Sequence, residues 1–265
     1  MNYGFHLSTA GAITGMRRLD TVANNLANAT TVGYKADVLS LSARLPENME
    51  RAGNYTDTNA MLDALGGGSL FQPNTMDLRQ GSLRDTGSQL DIALEGDGFF
   101  MLEAPKAKGV AGRNASKDVL LTRAGALARD PAGRLVLATS GVPILDTNGL
   151  PITLDDTDPD VNIDAQGRVT QSGNAVARIA VVMPEDLSKL RKEGRDAMRL
   201  SGGKVKRAAA TTVVRQKALE ESVVDPVATL AELVSVSRGI EFSTRMMQTQ
   251  DQATGRLVDT FGRFA

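Results

Sequence analysis

The chain has 265 residues and a formal net charge of -1; 42% of its residues are hydrophobic and 4% are aromatic. This length supports one large domain or two modest ones, and the near-neutral charge gives no global preference for nucleic acid or for a membrane surface. Cysteine and tryptophan are absent, which excludes disulfides, thiolate nucleophiles and thiolate metal sites and favours a core of small aliphatic side chains.

The first predicted element is an amphipathic helix over about Leu7–Ala27. Its helix-facing side chains recur in alternating steps of four and three residues: Phe5, Thr9, Ala12, Met16, Leu19, Ala23 and Leu26. Asn24, Asn25 and Asn28 crowd its end, and Gly33 follows. Because Asn side chains compete for backbone hydrogen bonds and tolerate left-handed geometry, this cluster predicts a helix end followed by a turn. The start of the chain has no basic segment and no continuous apolar run, so we expect no cleavable signal peptide.

Two connectors are predicted on either side of the central part of the chain. Residues 36–80 show little regular pattern and contain three consecutive glycines, which indicates an extended connector. Residues 208–225 form a shorter return connector, which contains a strand-like stretch.

Residues 81–207 have the texture of an antiparallel β-rich domain. Leu90–Leu94 alternates with period two, Gly96–Gly98 supplies a turn, and the apolar run Phe99–Leu102 follows, which predicts a β-hairpin. Three further turn sequences, each beginning with Asp and ending with Gly, precede short apolar runs: 130–133, 146–149 and 164–167. Turns that recur at this spacing indicate a sandwich or a barrel-like body.

A second amphipathic helix is predicted over residues 226–265. Asp225 is its expected cap and Pro226 lies in its first turn. Its helix-facing positions again alternate in steps of three and four: Leu233, Val236, Ile240, Ser243, Met247, Gln250, Thr254, Leu257, Phe261 and Phe264.

Each of these stripes needs a partner, because an isolated amphipathic helix gains little by folding alone. The simplest arrangement pairs residues 1–35 with residues 226–265 as a coiled coil, while the middle of the chain forms a separate body. The predicted fold is therefore α+β, mainly β, with paired terminal coiled-coil helices enclosing a central antiparallel β-rich domain. The residues predicted at the helix interface are Met16, Leu19, Leu233, Val236, Ile240, Met247, Leu257 and Phe261.

No catalytic, cofactor or metal site emerges from the pattern. His6 is the single histidine and is expected on a helix surface. An acidic run with Asp158 as the first position of a calcium loop has Ile163 where glycine is required and Val169 where the closing Glu is required. A basic stretch over residues 189–207 lacks interleaved aromatic residues, so a solvent-exposed edge of the β domain is preferred to a nucleic-acid surface. We therefore expect a structural protein and no enzyme.

The end of the first helix nevertheless carries a recognisable signature. The string Leu19–Lys35 closely resembles the N-terminal motif of the flagellar rod, hook and hook-associated axial protein family. Leu90–Phe100 and Leu121–Gly125 are similar to segments of that family's middle domain, and Glu232–Phe242 resembles its terminal helix, with a leaning toward proximal rod subunits. Lys217 departs from the pattern, because it stands where the family resemblance leads us to expect glycine.

The resemblance implies a subunit of the flagellar basal-body rod, the drive shaft that spans the periplasm. Such a subunit is exported unfolded by the flagellar type III apparatus and polymerises with other rod and hook subunits into a helical tube. Its inner coiled coil is formed by the terminal helices, and it has no cofactor, nucleic-acid or small-molecule partner. The residues expected to form the assembly motif are Asn24, Asn25, Leu26, Ala27, Asn28, Gly33, Tyr34 and Lys35.

Three alternatives to a proximal rod subunit stay open at the level of sequence, and one of them, an enzyme, would require the fold to bring together a cluster of perturbed carboxylates. The chain could be another axial subunit, from the distal rod or the hook. It could also be a secreted β-domain adhesin on a coiled-coil stalk, which would require a ligand pocket that the sequence does not indicate. For the Asn cluster, a plain helix stop competes with a contact to a neighbouring subunit.

Overall fold

The computed structural model describes residues 3–43, 69–72, 74–104, 119–155, 160–202 and 204–262. Within them the chain is mainly β, with one long helix near each end flanking a β-rich region. This agrees with the predicted class of a mainly β fold with two terminal helices. The chain divides into two compact units. Unit 1 comprises Met1–Ala27, Asp37–Met76 and Asp225–Ala265, and unit 2 comprises Asn28–Ala36 and Asp77–Val224.

Unit 1 contains both helices and four short strands. The helices are α1 (Tyr3–Ala27) and α2 (Pro226–Gly262). The strands form two antiparallel pairs: β1 (Asp37–Val38) with β4 (Thr75–Met76), and β2 (Leu41–Ala43) with β3 (Ser69–Phe71). These strands lie in the segment whose sequence shows no regular pattern, because strands of two or three residues are too short to display an alternation.

Helix α2 begins where the sequence predicts. The Asp225 carboxylate accepts hydrogen bonds from the backbone N–H groups of Val227 (2.9 Å) and Ala228 (3.2 Å). Pro226 occupies the first helical position, where its missing N–H leaves no donor unsatisfied. The predicted cap is therefore confirmed, and it fixes the point at which the chain enters the helix.

Unit 2 contains the remaining described strands and a short 3-10 helix at Leu187–Lys189. The strands are β5 (Leu83–Asp85), β6 (Ile92–Glu95), β7 (Phe99–Leu102), β8 (Val119–Thr122), β9 (Leu127–Arg129), β10 (Leu135–Leu137), β11 (Val161–Ile163), β12 (Arg168–Gln171), β13 (Asn174–Arg178), β14 (Val181–Pro184), β15 (Leu190–Glu193), β16 (Ala197–Leu200), β17 (Val205–Arg207), β18 (Val213–Gln216) and β19 (Ala218–Glu220).

The strands of unit 2 pair antiparallel throughout the described residues. The largest sheet has the order β15-β16-β8-β7-β14-β17, and β11-β12-β13 form a smaller one. Three further pairs are β9 with β10, β6 with β18, and β5 with β19. The last two pairs join the beginning of residues 77–224 to their end, so strands from both ends of this stretch close the unit.

The predicted hairpin between Leu90–Leu94 and Phe99–Leu102 is wrong. β6 pairs with β18, whereas β7 pairs with β8 and β14, so the two strands belong to different sheets. Gly96 and Gly98 do form a turn, with φ of +103° and +145°, and the Thr212 hydroxyl donates to the carbonyl between them (2.6 Å). Local turn chemistry therefore specified the bend, but the strand partner came from a distant part of the chain.

The three Asp-to-Gly turns are confirmed and share one geometry. In each, a carboxylate oxygen of Asp130, Asp146 or Asp164 accepts the backbone N–H groups two and four residues further along, at 2.8 or 2.9 Å. The closing glycines have φ between +74° and +79°. Desolvation raises the pKa of the Asp130 and Asp146 carboxyls, but the N–H donors outweigh it, so both pKa values lie below the ordinary one.

The core of unit 2 is mainly aliphatic, as the composition indicates, and Phe100 is the one aromatic side chain in its described buried cluster. Close backbone approach shapes one edge of it. A Cβ atom on Gly125 would lie 1.7 Å from the carbonyl oxygen of Ile92, whose N–H donates to the Gly125 carbonyl (3.0 Å). Only glycine fits at that crossing.

Lys217 has left-handed backbone geometry, with φ of +62°. Its N–H donates to the Asp91 carbonyl (2.7 Å), and its own carbonyl accepts the N–H of Thr86 (2.8 Å), so the surrounding backbone holds this conformation. A residue with a Cβ atom loses about 1–2 kcal/mol in this region. The family resemblance leads us to expect glycine at this position. The backbone here has the left-handed geometry that glycine favours, and Lys217 adopts it despite its Cβ atom.

We expect Lys217→Gly to stabilise the chain. Relief of the left-handed strain is partly offset by the larger entropy of an unfolded glycine, which leaves a net gain of about 0.5–1 kcal/mol. Urea denaturation of the two proteins measures this difference. Lys217→Ala is the matched control, because it removes the charge but keeps the Cβ atom; an equal gain in that variant would refute the backbone explanation.

Candidate assembly site

Helices α1 and α2 pack against each other in unit 1 with antiparallel directions. Near one end of the contact, Arg18 forms a salt bridge of 2.6 Å with Glu232. Toward the other end, the Thr9 hydroxyl lies 3.3 Å from the sulfur of Met247. The later residue of α1 therefore contacts the earlier residue of α2, so the two helices run in opposite directions. This is expected if the two ends of the chain pair with each other.

Small residues of α1 line this contact and allow a close approach. A Cβ atom on Gly15 would lie 2.7 Å from Cγ1 of Ile240, and a Cβ atom on Gly4 would lie 2.7 Å from the side-chain nitrogen of Gln250. At Gly11 the nearest atom of α2 is the Ser243 hydroxyl oxygen. Glycines spaced along one face let the helix backbones come together without steric conflict.

The predicted interface residues fall into two groups in the single chain. Half-buried positions are Leu19, Leu233, Val236, Ile240 and Met247. Met16 and Leu257 are instead 53% and 59% exposed. The side chains of Phe261 and Phe264 lie outside the described residues.

The helices carry most of the large apolar side chains that the described chain exposes. On α1 these are Phe5, Leu7, Ile13 and Met16. On α2 they are Val227, Leu230, Val234, Phe242, Met246 and Leu257, with Val227 at 79% and Phe242 at 66%. Apolar surface collected on two elements to this extent is typical of a surface that a partner covers.

Asn25, one of the predicted motif residues, fastens the end of α1 to strand β1. Its side-chain nitrogen donates to the carbonyl of Asp37 and its side-chain oxygen accepts the Asp37 N–H, both at 2.9 Å. The amide thus reproduces a strand-like pair of hydrogen bonds. Asn24 is exposed and lines a polar cavity of about 460 Å³ in unit 1, together with Asp20 and Asp37. Leu26 is half-buried and Ala27 is exposed.

Asn28 begins the turn of unit 2 that contains the rest of the motif. Its side-chain oxygen accepts the hydroxyl of Thr31 (3.2 Å), and its carbonyl accepts the Thr31 N–H (3.1 Å). Gly33 follows with φ of +66° and donates its N–H to the carbonyl of Glu220 (2.8 Å). A Cβ atom on Gly33 would lie 2.5 Å from backbone atoms of residues 123 and 124, so this turn has room for glycine alone.

Tyr34 and Lys35 are buried within unit 2. The ammonium nitrogen of Lys192 lies 3.9 Å from the centre of the Tyr34 ring. The Lys35 side chain is 0% exposed, and its ammonium donates to Glu220 (2.6 Å) and to the carbonyl of Arg79 (2.5 Å). Within unit 2, therefore, the Gly33-Tyr34-Lys35 turn is an internal packing element.

A buried cluster of charges surrounds Glu220. One carboxylate oxygen accepts Lys35 and the N–H of Gly81 (3.0 Å), and the other accepts the Arg123 guanidinium (3.2 Å). Arg123 also donates to the carbonyl of Gly96 (2.8 Å) and lies 5.3 Å from the centre of the Phe99 ring. Burial lowers the pKa of Lys35, and the hydrogen bond to Glu220 opposes that effect.

Sequence reasoning did not give Arg123 or Glu220 a role. Arg123 stands in Leu121–Gly125, which resembles a family segment, and Glu220 stands in the predicted return connector over residues 208–225, but no pattern along the chain pairs them with Lys35. In the sequence, Arg123 and Glu220 each appear only as a charged residue at the end of an apolar stretch. Such a residue lies either at a solvated edge or next to a buried partner. Only the fold distinguishes these two readings.

Two features of the described residues bear on possible metal and ligand sites. They contain no group of three or more His, Cys, Asp or Glu side chains that could hold a metal ion. A cavity of about 680 Å³ in unit 2 has Arg178, Lys206 and Arg207 in its lining but no carboxylate and no histidine. His6 is exposed on α1, and Asp158 of the rejected calcium loop lies outside the described residues.

No helix among the described residues has the length and apolar character needed to span a bilayer.

Three family models match the chain. The model of flagella basal body rod proteins matches residues 9–35, and the D1-domain model of the flagellar hook protein FlgE/F/G matches residues 93–171. The C-terminal model of the flagellar basal body rod FlgEFG proteins matches residues 215–260. Lys35, Arg123 and Glu220 come one from each matched region.

Full-length relatives agree with these matches. A flagellar basal-body rod protein FlgF of Caulobacter vibrioides is 27% identical over 263 residues, covering 99% of both chains. A FlgF of Rhizobium meliloti is 25% identical over 270 residues, again covering 99% of both. A flagellar basal-body rod protein FlgG of Agrobacterium fabrum is 27% identical and covers 91% of this chain and 94% of its own.

We predict that Gly15→Leu weakens the contact between the two helices. The added side chain meets Ile240 and overpacks the interface, at a cost of about 1–3 kcal/mol. Thermal unfolding followed by circular dichroism at 222 nm should show earlier loss of helix. Gly255→Ala is the matched control, because nothing lies within 4 Å of a Cβ atom there and alanine gains about 1 kcal/mol of helix propensity.

We predict that Lys35→Met destabilises unit 2 by about 3 kcal/mol, because it leaves the buried Glu220 carboxylate with incomplete compensation. Chemical denaturation measures the loss. Adding Glu220→Gln to Lys35→Met should recover part of it, since the amide carries no buried negative charge and its single oxygen can still accept the Gly81 N–H. Strictly additive losses in the double variant would contradict the pairing of these charges.

Proposed function

We propose that this chain, a FlgF-like rod protein of the flagellar rod and hook axial protein family, polymerises through the surfaces of its terminal helices. The chain is a structural subunit of the flagellar basal-body rod and works beside other axial subunits. Membership rests on the three matched regions and on relatives that align over nearly the whole chain. A structural family of this kind supports a non-enzymatic role.

The observation that carries the proposal is the apolar surface left on α1 and α2 after they pair. Val227, Leu230 and Val234 recur at helical spacing on α2, and Phe242 and Met246 lie one turn apart further along. Burying each of these side chains contributes about 1.5–3 kcal/mol. Several such contacts repeated along a tube would make a stiff polymer without any covalent link.

The end of α2 extends the argument. Gln250 is opposite Gly4, close to the start of α1, and α2 continues to Gly262, about 18 Å further at 1.5 Å per residue. Leu257 lies on this extension and is exposed. A neighbouring subunit is the partner that this part of the helix would find in a rod, through a heterologous contact that repeats from one subunit to the next.

We further propose that the packed helices form a coiled coil in the rod. The predicted α2 stripe from Leu233 to Thr254 is half-buried at each of its positions, which supports a continuous seam. Polar members of that stripe, such as Ser243 and Gln250, weaken it and set its register. Asn24, which is exposed at the end of α1, would add a polar contact beside the seam.

The position in the rod and the route to it are parts of the same proposal. We place the chain in the proximal rod, because full-length relatives carry the FlgF name, and we expect delivery through the flagellar type III export apparatus. The separation of α1 from α2 along the sequence supports such delivery, since neither helix stripe is satisfied before both ends have emerged.

Leu257→Asp tests the role of the helices. It should block incorporation into basal bodies, because it buries an unpaired charge at the subunit contact. It should leave the melting of unit 2 unchanged. Gln252→Asp is the matched control, since it adds the same charge at an exposed position on the other side of α2.

Motility, and immunoblots of purified basal bodies, give the readout. Normal incorporation of the Leu257→Asp variant would overturn the interface role of α2. Loss of secreted protein in that variant, tested in a strain that exports subunits into the medium, would instead place the defect at export. Equal loss with Gln252→Asp would show that added negative charge on α2, and not the Leu257 contact, is responsible.

A further inference from the structure

The turn over Asn28–Ala36 lies in unit 2, far in sequence from the segments that it contacts. Its backbone bonds to the end of the unit: Gly33 donates to the Glu220 carbonyl (2.8 Å), and Tyr34 accepts the N–H of Val223 (3.3 Å). Its charge goes to the same place, through the Lys35 contact with Glu220. The turn therefore fills a slot formed by later parts of the chain.

Closure of unit 2 requires both ends of its sequence at once. Lys35 and Glu220 are separated by 185 positions. β5 pairs with β19 and β6 pairs with β18, so the final strands of the unit also pair with its first ones. Without residues 28–36, Glu220 is left buried beside a single guanidinium. Without β18 and β19, the strands β6 and β5 lose their partners.

We propose that the Asn28–Ala36 turn is the closing element of unit 2, so that a protein that captures this turn holds the whole unit unfolded. Such a partner would bind the segment in an extended form, in which Gly33, the Tyr34 ring and the Lys35 ammonium are accessible in succession. All three residues are buried once the unit has closed. The closure is a property of the chain alone; its use during export rests on the proposed function.

The contacts that the turn supplies explain why closure waits for it. Without Lys35 the Glu220 carboxylate loses its shortest charged partner, and desolvation of the remaining ions opposes folding. Without Tyr34 the Lys192 ammonium loses the ring that covers it. Without Gly33 and Tyr34 the backbone at Glu220 and Val223 loses two hydrogen bonds. These losses fall on one side of the unit and act together.

A capture experiment on the full chain tests the proposal. The denatured protein is refolded in the presence of a Fab raised against a peptide of residues 28–36, and recovery of unit 2 is followed by hydrogen exchange of the β6 and β8 amides. Protected protein should fall at least tenfold. A Fab against the exposed turn 146–150 is the control and should leave recovery unchanged. Excess free 28–36 peptide, which displaces the first Fab, should restore folding.

A pair of full-length variants gives an independent test. Gly33→Ala places a Cβ atom against the backbone at residues 123 and 124, whereas Gly87→Ala imposes the same kind of backbone strain at φ +77° with nothing within 4 Å. Gly33→Ala should lose protection in unit 2 at least tenfold more than Gly87→Ala.

Unchanged refolding with the 28–36 Fab bound would overturn the proposal, as would equal effects of the two alanine variants. Neither result would bear on the rod assignment, because incorporation of Leu257→Asp is measured separately in assembled basal bodies.

Discussion

The buried carboxylate of Glu220 imposes the strongest constraint on this chain. An anion with no exposed surface must be matched by cations and N–H donors, since its desolvation otherwise opposes folding. Lys35, Arg123 and the N–H of Gly81 provide that match at distances of 2.6–3.2 Å. Each of the three charged residues comes from a different family-matched region, so the cluster ties together parts of the sequence that would otherwise be related only by their motifs.

The strand pairing of unit 2 spans the same long sequence separations as the Glu220 cluster. The pairs β5–β19 and β6–β18 bring strands from both ends of residues 77–224 together, and the Lys35–Glu220 contact adds a segment from before them. Forming contacts between residues so far apart in sequence costs loop-closure entropy, and this cost precedes the stabilisation that the contacts give to the fold. These contacts cannot all form until nearly the whole length of residues 28–224 is available.

Sequence reasoning reached the helices, the Asp225 cap and the three Asp-to-Gly turns, because each depends on side chains a few positions apart. It failed at the hairpin, since Gly96 and Gly98 mark a bend and carry no information about strand partners. It also missed Arg123 and Glu220, because burial of a charge is decided by three distant segments together. Lys217 lies between these cases: the resemblance marked the position, and only the backbone showed its left-handed geometry.

The two faces of α1 show why apolar periodicity alone describes a helix contact incompletely. The contact with α2 uses Gly4, Gly11 and Gly15, which have no side chain and add nothing to an apolar stripe. Phe5 and Met16, two large apolar members of the stripe, remain exposed in the single chain. Glycine permits the close contact within one subunit, and the apolar side chains beside it stay available for a second contact. A helix pair that polymerises needs both kinds of surface, because one must be buried within the subunit while the other remains exposed to contact a neighbour.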